Sequence, residues 1–182
     1  MDLPDETLIQ STLDGDLGSF DALMCRYERL VFKIAYSFGG GRETALDLTQ
    51  TVFLKAFDNL NTFRLGSSFK SWLLKIAYNE GINWTRLPQN RRYLHSDIGN
   101  VSEVLALEST QESSLLLNEQ RMIIRRGLES LNVRYRTAML LRYAHNMPIR
   151  DIAGVLQCSE NMTKNILFRG IRSLKKALAQ VG

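Results

Sequence analysis

Lys164, Asn165, Phe168, Arg169 and Arg172 follow one another at spacings of one, three, one and three. On a helix that spacing gathers them on one broad face. Lys and Arg contact phosphate or guanine, and Asn contacts adenine or phosphate. The opposite face carries Leu167, Ile171, Leu174 and Leu178, spaced four, three and four, which is a core-facing stripe. Upstream, Pro148 suits the first turn of a helix, and Ile149, Ile152, Ala153 and Leu156 line one side of it. Gln157-Cys158-Ser159 is a short turn, with Ser159 an N-cap for the helix that follows. The layout is a helix-turn-helix whose second helix would lie in a major groove. The plain alternative is a helical hairpin with a solvated basic face. Five bases and no acid between 161 and 182 favour the DNA reading.

A second stretch mixes aromatic and basic residues. Phe63-Arg64-Leu65-Gly66-Ser67-Ser68-Phe69-Lys70-Ser71-Trp72 precedes a helix bearing Lys75, Tyr78, Asn79, Asn83, Trp84 and Arg86, and Arg91 and Arg92 follow. Aromatic platforms beside cations hold unstacked single-stranded bases. Phe69 and Trp72 share helical spacing with Ile76 and read as core. Phe63, placed in a loop, and Asn79 and Asn83, four apart on one helix face, remain open to either reading.

No catalytic or metal-binding constellation emerges. His95 and His145 have no cysteine or carboxylate at ligand spacing, and no cofactor is implied. Gly39-Gly40-Gly41-Arg42 lacks the Lys-Ser/Thr of a phosphate loop and reads as an interhelical turn. Asp14 and Asp16 flank Gly15 in another turn. Cys25 and Cys158 match no metal or redox spacing and are read as packing residues. Apolar runs are far short of the roughly 20 residues that span a bilayer, and the acidic start is unlike a secretory signal. Membrane insertion, secretion, disulfide scaffold and zinc finger are disfavoured, which leaves a cytoplasmic protein without enzymatic activity as the expectation.

The elements that must position these residues are helical throughout. The 182-residue chain is 45% hydrophobic and 23% charged, which allows one average domain or two small ones. Phe20, Leu23, Tyr27, Val31, Ile34 and Phe38 predict a helix over 17–38. Leu48, Val52, Ala56 and Leu60, widened by Phe53 and Phe57, predict one over 43–60. A loop over 61–68 leads to a helix over 69–86 that Pro88 ends. Residues 94–117 hold no Lys or Arg and read as an acidic linker. Helices resume at 118–130, 133–144, 148–156 and 160–179. The net charge of +4 is segregated: residues 1–60 carry −5, 61–93 carry +5, 94–120 carry −5 and 121–182 carry +9. Two basic blocks around an acidic one suggest two contacts with a polyanion. The expected fold is all-α: two small helical bundles, 1–93 and 118–182, joined by a flexible linker, with the helix-turn-helix in the second.

At these residues the chain resembles a known family. Asp47-Leu48-Thr49-Gln50-Thr51-Val52-Phe53-Leu54-Lys55-Ala56-Phe57, then Phe63-Arg64, then Phe69 to Asn79, is similar to the conserved region 2 of bacterial sigma factors. Leu131 to Leu178 is similar to their region 4. With a short linker between, the whole resembles the extracytoplasmic-function (ECF) sigma factors. The resemblance implies that Asp47, Gln50 and Leu54 meet the β′ clamp helices of core RNA polymerase. It implies that Phe63, Asn79 and Asn83 surround a flipped −10 base, with Lys75, Arg86, Arg91 and Arg92 on the backbone and Arg64 also at the −10 element. It places Lys164, Asn165, Phe168, Arg169 and Arg172 at the −35 element and region 4 at the β flap. It also makes an anti-sigma factor an expected regulator, since in relatives such a protein clamps the two domains.

Departures from the family pattern stand at Gln157, where glycine is usual, at Gly170, where alanine is, and at Ile166, where arginine is common. The basic run after the third helix is also short. Two other functions compete. One is a helix-turn-helix regulator with an N-terminal sensing or dimerising domain. The other is an adaptor or inhibitor that binds protein through its N-terminal half. Neither needs the aromatic-basic stretch over 61–92.

Overall fold

Seven α-helices account for the regular structure in a computed structural model that describes residues 3–90, 127–128 and 130–179. They are α1 (Asp5–Leu13), α2 (Leu17–Tyr36), α3 (Gly41–Asp58), α4 (Phe69–Arg86), α5 (Val133–Met139), α6 (Ile149–Val155) and α7 (Glu160–Leu178). The acidic linker over 94–117 lies outside the described residues, as does most of the helix expected at 118–130.

Local chemistry sets each boundary. Asp16 caps α2 by accepting from the Gly18 amide at 3.0 Å, and the Ser19 hydroxyl donates to the same carboxylate at 2.7 Å. Those bonds hold the Asp16 carboxyl below its usual range, the Ser19 hydroxyl first. Gly39, Gly40 and Gly41 all have positive φ, so the turn between α2 and α3 runs through backbone that other residues rarely adopt. Ser68 caps α4, accepting from the Ser71 amide at 3.2 Å, and Ser159 caps α7, accepting from the Met162 amide at 3.2 Å. The helix expected over 133–144 changes winding within itself: Leu140–Ala144 continues α5 as a π-helical turn. One helix, α1, lies in a stretch where only the Asp14–Asp16 turn was expected. It buries Leu8 and Ile9, and its Asp5 pairs with Arg26 and accepts from the Tyr27 hydroxyl on α2.

Two of the packing expectations are corrected. Cys25 is exposed on α2 and is no part of the core. Phe57 is 42% exposed, with only one edge of contact against Phe20 at 5.0 Å. Cys25 on α2 and Phe57 on α3 both lie outside the cluster in which Leu23 and Ile34 of α2 are buried with Val52 and Ala56 of α3. Cys158 packs against the core as expected and lies 3.3 Å from the Thr163 hydroxyl.

The two bundles do not stand apart. Their buried apolar side chains form one continuous cluster, running from Leu23, Leu73 and Ala77 to Val133, Ile152 and Leu156. The main contact is α4 against α6. Arg136 of α5 joins the halves. It is 1% exposed and donates to the Leu128 carbonyl at 2.9 Å, the Leu131 carbonyl at 2.7 Å and the Ser37 carbonyl at 2.6 Å. Ser37 is the C-cap of α2, where the helix dipole favours a cation. Each bundle is small, and apposing them buries apolar area that neither could cover alone.

Candidate nucleic-acid interface

The recognition helix is built by strict division of its faces. Thr163, Ile166, Leu167 and Gly170 are buried, while Lys164, Asn165, Phe168, Arg169 and Arg172 are exposed. Phe168, at 68% exposure, is the most open of the large apolar side chains among the described residues. The aromatic ring thus stands beside four polar or cationic groups with nothing covering it. Gly170 packs close to α5: a Cβ there would lie 3.2 Å from Met139 Cγ. The glycine that departs from the family pattern therefore sits at a close helix crossing.

The turn before α7 closes α6 with a Schellman geometry. The Cys158 amide donates to the Ala153 carbonyl at 3.0 Å, and Gln157 takes the left-handed conformation with φ +52°. Glycine is the residue that adopts this conformation without strain, which gives the departure at Gln157 its physical meaning. Beside α7, a groove of about 410 Å³ is lined by Tyr135, Met162, Ile166 and Arg169 on mostly carbon surface. Arg134 also borders it, and its Nε is buried with no hydrogen-bond partner.

The N-terminal surface is less open. Phe63 is buried, with ring centroids 5.7 Å from Phe69 and 5.5 Å from Trp72, and Phe69 and Trp72 are 5.6 Å apart. Phe63, which the sequence left open between a core residue and a base platform, is packed inward here. Its ring anchors the loop to α4, because three aromatic rings bury more area together than a loop ring would alone. The loop instead presents Arg64 and Leu65, both exposed, beyond which Gly66 turns with φ +84°. The exposed Leu65 had no signal in the sequence beyond its place next to Arg64.

Along α4, Lys75, Asn79, Asn83 and Arg86 form one polar stripe. Lys75, Asn83 and Arg86 are exposed, and Asn79 is half-buried. A cleft of about 730 Å³ runs between this stripe and the C-terminal half, where Asn132, Arg134 and Gln157 face it. Tyr78 lines the cleft; burial raises its hydroxyl pKa, and Arg134 and Arg86 act in the opposite direction. Glu80, the one acid of the 61–93 block, also borders this cleft, and its carboxylate is paired with Lys55 of α3 at 2.7 Å. The stripe is thereby left positive. Arg91 and Arg92 lie outside the described residues.

On α3, Asp47, Gln50 and Leu54 are exposed together, Leu54 at 60%. Leu46 and Phe57 extend this patch, so it is more apolar than the three expected residues suggest. Among the described residues no cluster of His, Cys, Asp or Glu could hold a metal ion, and no helix is long and apolar enough to cross a membrane.

A helical protein with a free helix-turn-helix reading face, a second basic stripe on its N-terminal half and an exposed apolar patch on α3 is a nucleic-acid-binding protein that also docks on protein. Comparison with known proteins narrows that class. Residues 23–92 match the family model of sigma-70 region 2, and residues 121–174 match that of sigma-70 region 4. The RNA polymerase sigma-H factor of Pseudomonas aeruginosa is 28% identical over 96% of this chain and 93% of its own length. The ECF RNA polymerase sigma-E factor of Escherichia coli K12 is 29% identical over 92% and 90%. Among solved structures, the fold is shared with CnrH in complex with the cytosolic domain of CnrY, at a TM-score of 0.71, 21% identity and coverage of 98% of this chain and 99% of that one. The sigma factor RpoE of Bartonella quintana, solved with the anti-sigma factor NepR, gives a TM-score of 0.68 at 25% identity, over 88% and 96%. The chain belongs to the sigma-70 family and is an ECF sigma factor.

Proposed function

We propose that this chain is an alternative sigma factor that binds core RNA polymerase and directs promoter-specific initiation by recognising −35 and −10 elements. It has no catalytic activity of its own and works in the cytoplasm of a bacterium. Residues 1–93 form region 2, residues 94–117 the acidic linker and residues 118–182 region 4. Lys164, Asn165, Phe168, Arg169 and Arg172 read the −35 duplex. Arg64, Lys75, Asn79, Asn83, Arg86, Arg91 and Arg92 act at the −10 element. Phe63 supports them by holding the loop. Asp47, Gln50 and Leu54 dock on the β′ clamp helices, and region 4 meets the β flap. An anti-sigma factor that clamps the two regions is the expected regulator, as the partners of the solved relatives suggest.

The observation that carries this reading is the presence of two separate reading faces, α7 and the α4 stripe, beside an exposed apolar patch on α3. A flipped base needs a fitted pocket with hydrogen bonds to its edge, and Asn79 can donate and accept at such an edge. Two small DNA contacts act together only when a third body fixes their spacing, so the polymerase raises the effective concentration of the second.

Run-off transcription tests the proposal. The purified chain is added to core polymerase with a library of promoter-sized duplexes, and the transcripts are sequenced. Transcripts that require the chain and share two upstream blocks at fixed separation are expected. Tight sequence-specific DNA binding by the chain alone, with no initiation by core polymerase, would instead indicate a helix-turn-helix regulator.

A further inference from the structure

Two arginines of α5 are held in opposite ways. Arg136 donates from all three guanidinium nitrogens to carbonyls. Arg134 has a buried Nε with no acceptor, and among the described residues no carboxylate pairs with its guanidinium. A buried donor without an acceptor is uncommon in a folded protein and calls for an explanation. The position of Arg134 deepens the question. It stands in the first turn of α5, which holds no acid, and a cation there opposes the helix dipole. Asn132 caps that turn and accepts from the Arg134 amide at 3.0 Å, so the backbone bearing the side chain is fixed. Nothing local rewards a charge at this place.

The groove of about 410 Å³ beside it has one kind of chemistry. Tyr135 and Met162 give it carbon walls, and Ile166, 4% exposed, closes it with an aliphatic side chain. Arg134 and Arg169 are its two cations, and no acid lines it. Asn165 and Arg169 are exposed and belong both to this groove and to the reading face of α7. The groove is thus continuous with the surface assigned above to the −35 duplex. A guanidinium matches a phosphate with paired hydrogen bonds and is desolvated at less cost than an ammonium. Carbon walls between two such groups suit a deoxyribose ring flanked by its phosphates.

We propose that this groove seats a deoxyribose-phosphate segment of the −35 duplex, with the Arg134 guanidinium on the phosphate. The inference rests on the proposed −35 role of α7. It adds to the recognition helix an anchor from α5 that fixes how α7 sits in the major groove without reading a base. The bound phosphate supplies the acceptor that the buried Nε lacks.

The test uses the full chain in complex with core polymerase. The complex first selects a −35 block from duplexes of random sequence, and its affinity for a short duplex carrying that block is then measured across a range of salt. Arg134→Met loses one phosphate contact, so the slope of log affinity against log salt should flatten by about 0.9. Preference for the selected block over a scrambled one should change by less than about twofold, because a phosphate contact carries no sequence information. Arg134→Lys keeps the charge and should recover most of the slope. The melting temperature of Arg134→Met should not fall, since carbon suits the groove and no internal bond is lost; an arginine that served the fold alone would lower it. Methylphosphonates placed one at a time along the duplex should identify at least one phosphate whose neutralisation weakens the parent but not Arg134→Met.

Arg134 also borders the cleft beside α4, and the same measurements separate the two sites. An unchanged salt slope in Arg134→Met, or a loss seen only in strand opening, would overturn the groove site. Arg169→Ala distinguishes this failure from that of the −35 role. If Arg169→Ala relaxes the sequence preference while Arg134→Met changes nothing, only the groove site falls. If no block is selected, or Arg169→Ala leaves the preference intact, the −35 role of α7 falls and the groove site with it.

Discussion

The two reading faces of this protein are built in opposite ways. On α7 the polar face stands free, with Phe168 at 68% exposure among Lys164, Asn165 and Arg169. On α4 the corresponding stripe is half-covered, with Asn79 bonded to Gln157 and the loop aromatic Phe63 turned inward. The roles proposed above give this difference a reason. A recognition helix meets an intact duplex and can be permanently exposed. A surface that holds an extruded base combines apolar and polar groups, and such a surface attracts other parts of the chain when no base is present.

Arg136 offers the largest break in this comparison, because it belongs to both halves. Arg136→Leu leaves the carbonyls of Leu128, Leu131 and Ser37 without their guanidinium donor. Destabilisation of about 3 kcal/mol or more is expected, with Tm lower by roughly 6–12 °C in thermal unfolding followed by circular dichroism. A Tm within 2 °C or so of the parent would mean that water replaces the arginine and that the halves are not joined there.

Two glycines sharpen the contrast at an intermediate size. A Cβ at Gly81 of α4 would stand 2.3 Å from the Phe38 ring, which is fully buried and cannot yield. Gly81→Ala should destabilise by about 1–3 kcal/mol. At Gly170 of α7 the nearest atom is 3.2 Å away on Met139, a flexible side chain. Gly170→Ala should be neutral or stabilising by up to about 1 kcal/mol, the gain in helix propensity. Denaturant midpoints for the pair decide it, and equal losses would remove the distinction between a rigid and a pliant neighbour.

The functional contrast is the most delicate measurement. Lys164→Ala and Arg169→Ala should weaken binding of the polymerase complex to duplex promoter by about 1–3 kcal/mol each for a base-reading contact. Asn79→Ala should leave that first binding intact and impair strand opening, read by permanganate reactivity of unpaired thymines. Equal loss of both steps in Asn79→Ala would remove it from the base-capture site.

Much of this was legible beforehand for identifiable reasons. The helix over 69–86 was readable to the residue, because its apolar residues recur at helical spacing and Pro88 follows its end. The outward row on α7 was readable because a helix that buries Leu167 must expose Lys164, Asn165 and Phe168. Phe63 could not be assigned from spacing because its partners Phe69 and Trp72 lie on the next helix, and only the fold of the loop brings the three rings together. Phe57 was misjudged as core because periodicity identifies an apolar face but not how wide an arc its neighbours cover.

By itself, then, the sequence determined helices α2 to α7, the cap at Ser159, the segregation of charge and the exposed row of α7. These depend on spacing along one helix, which is local information. The tertiary structure decided that the bundles share a core, that Arg136 reaches across to Ser37, and that Gln157 meets Asn79. Arg136 and Ser37 are 99 residues apart, and Gln157 and Asn79 are 78 apart. No periodicity encodes such pairs, because they arise only when two amphipathic surfaces, each incomplete alone, cover one another.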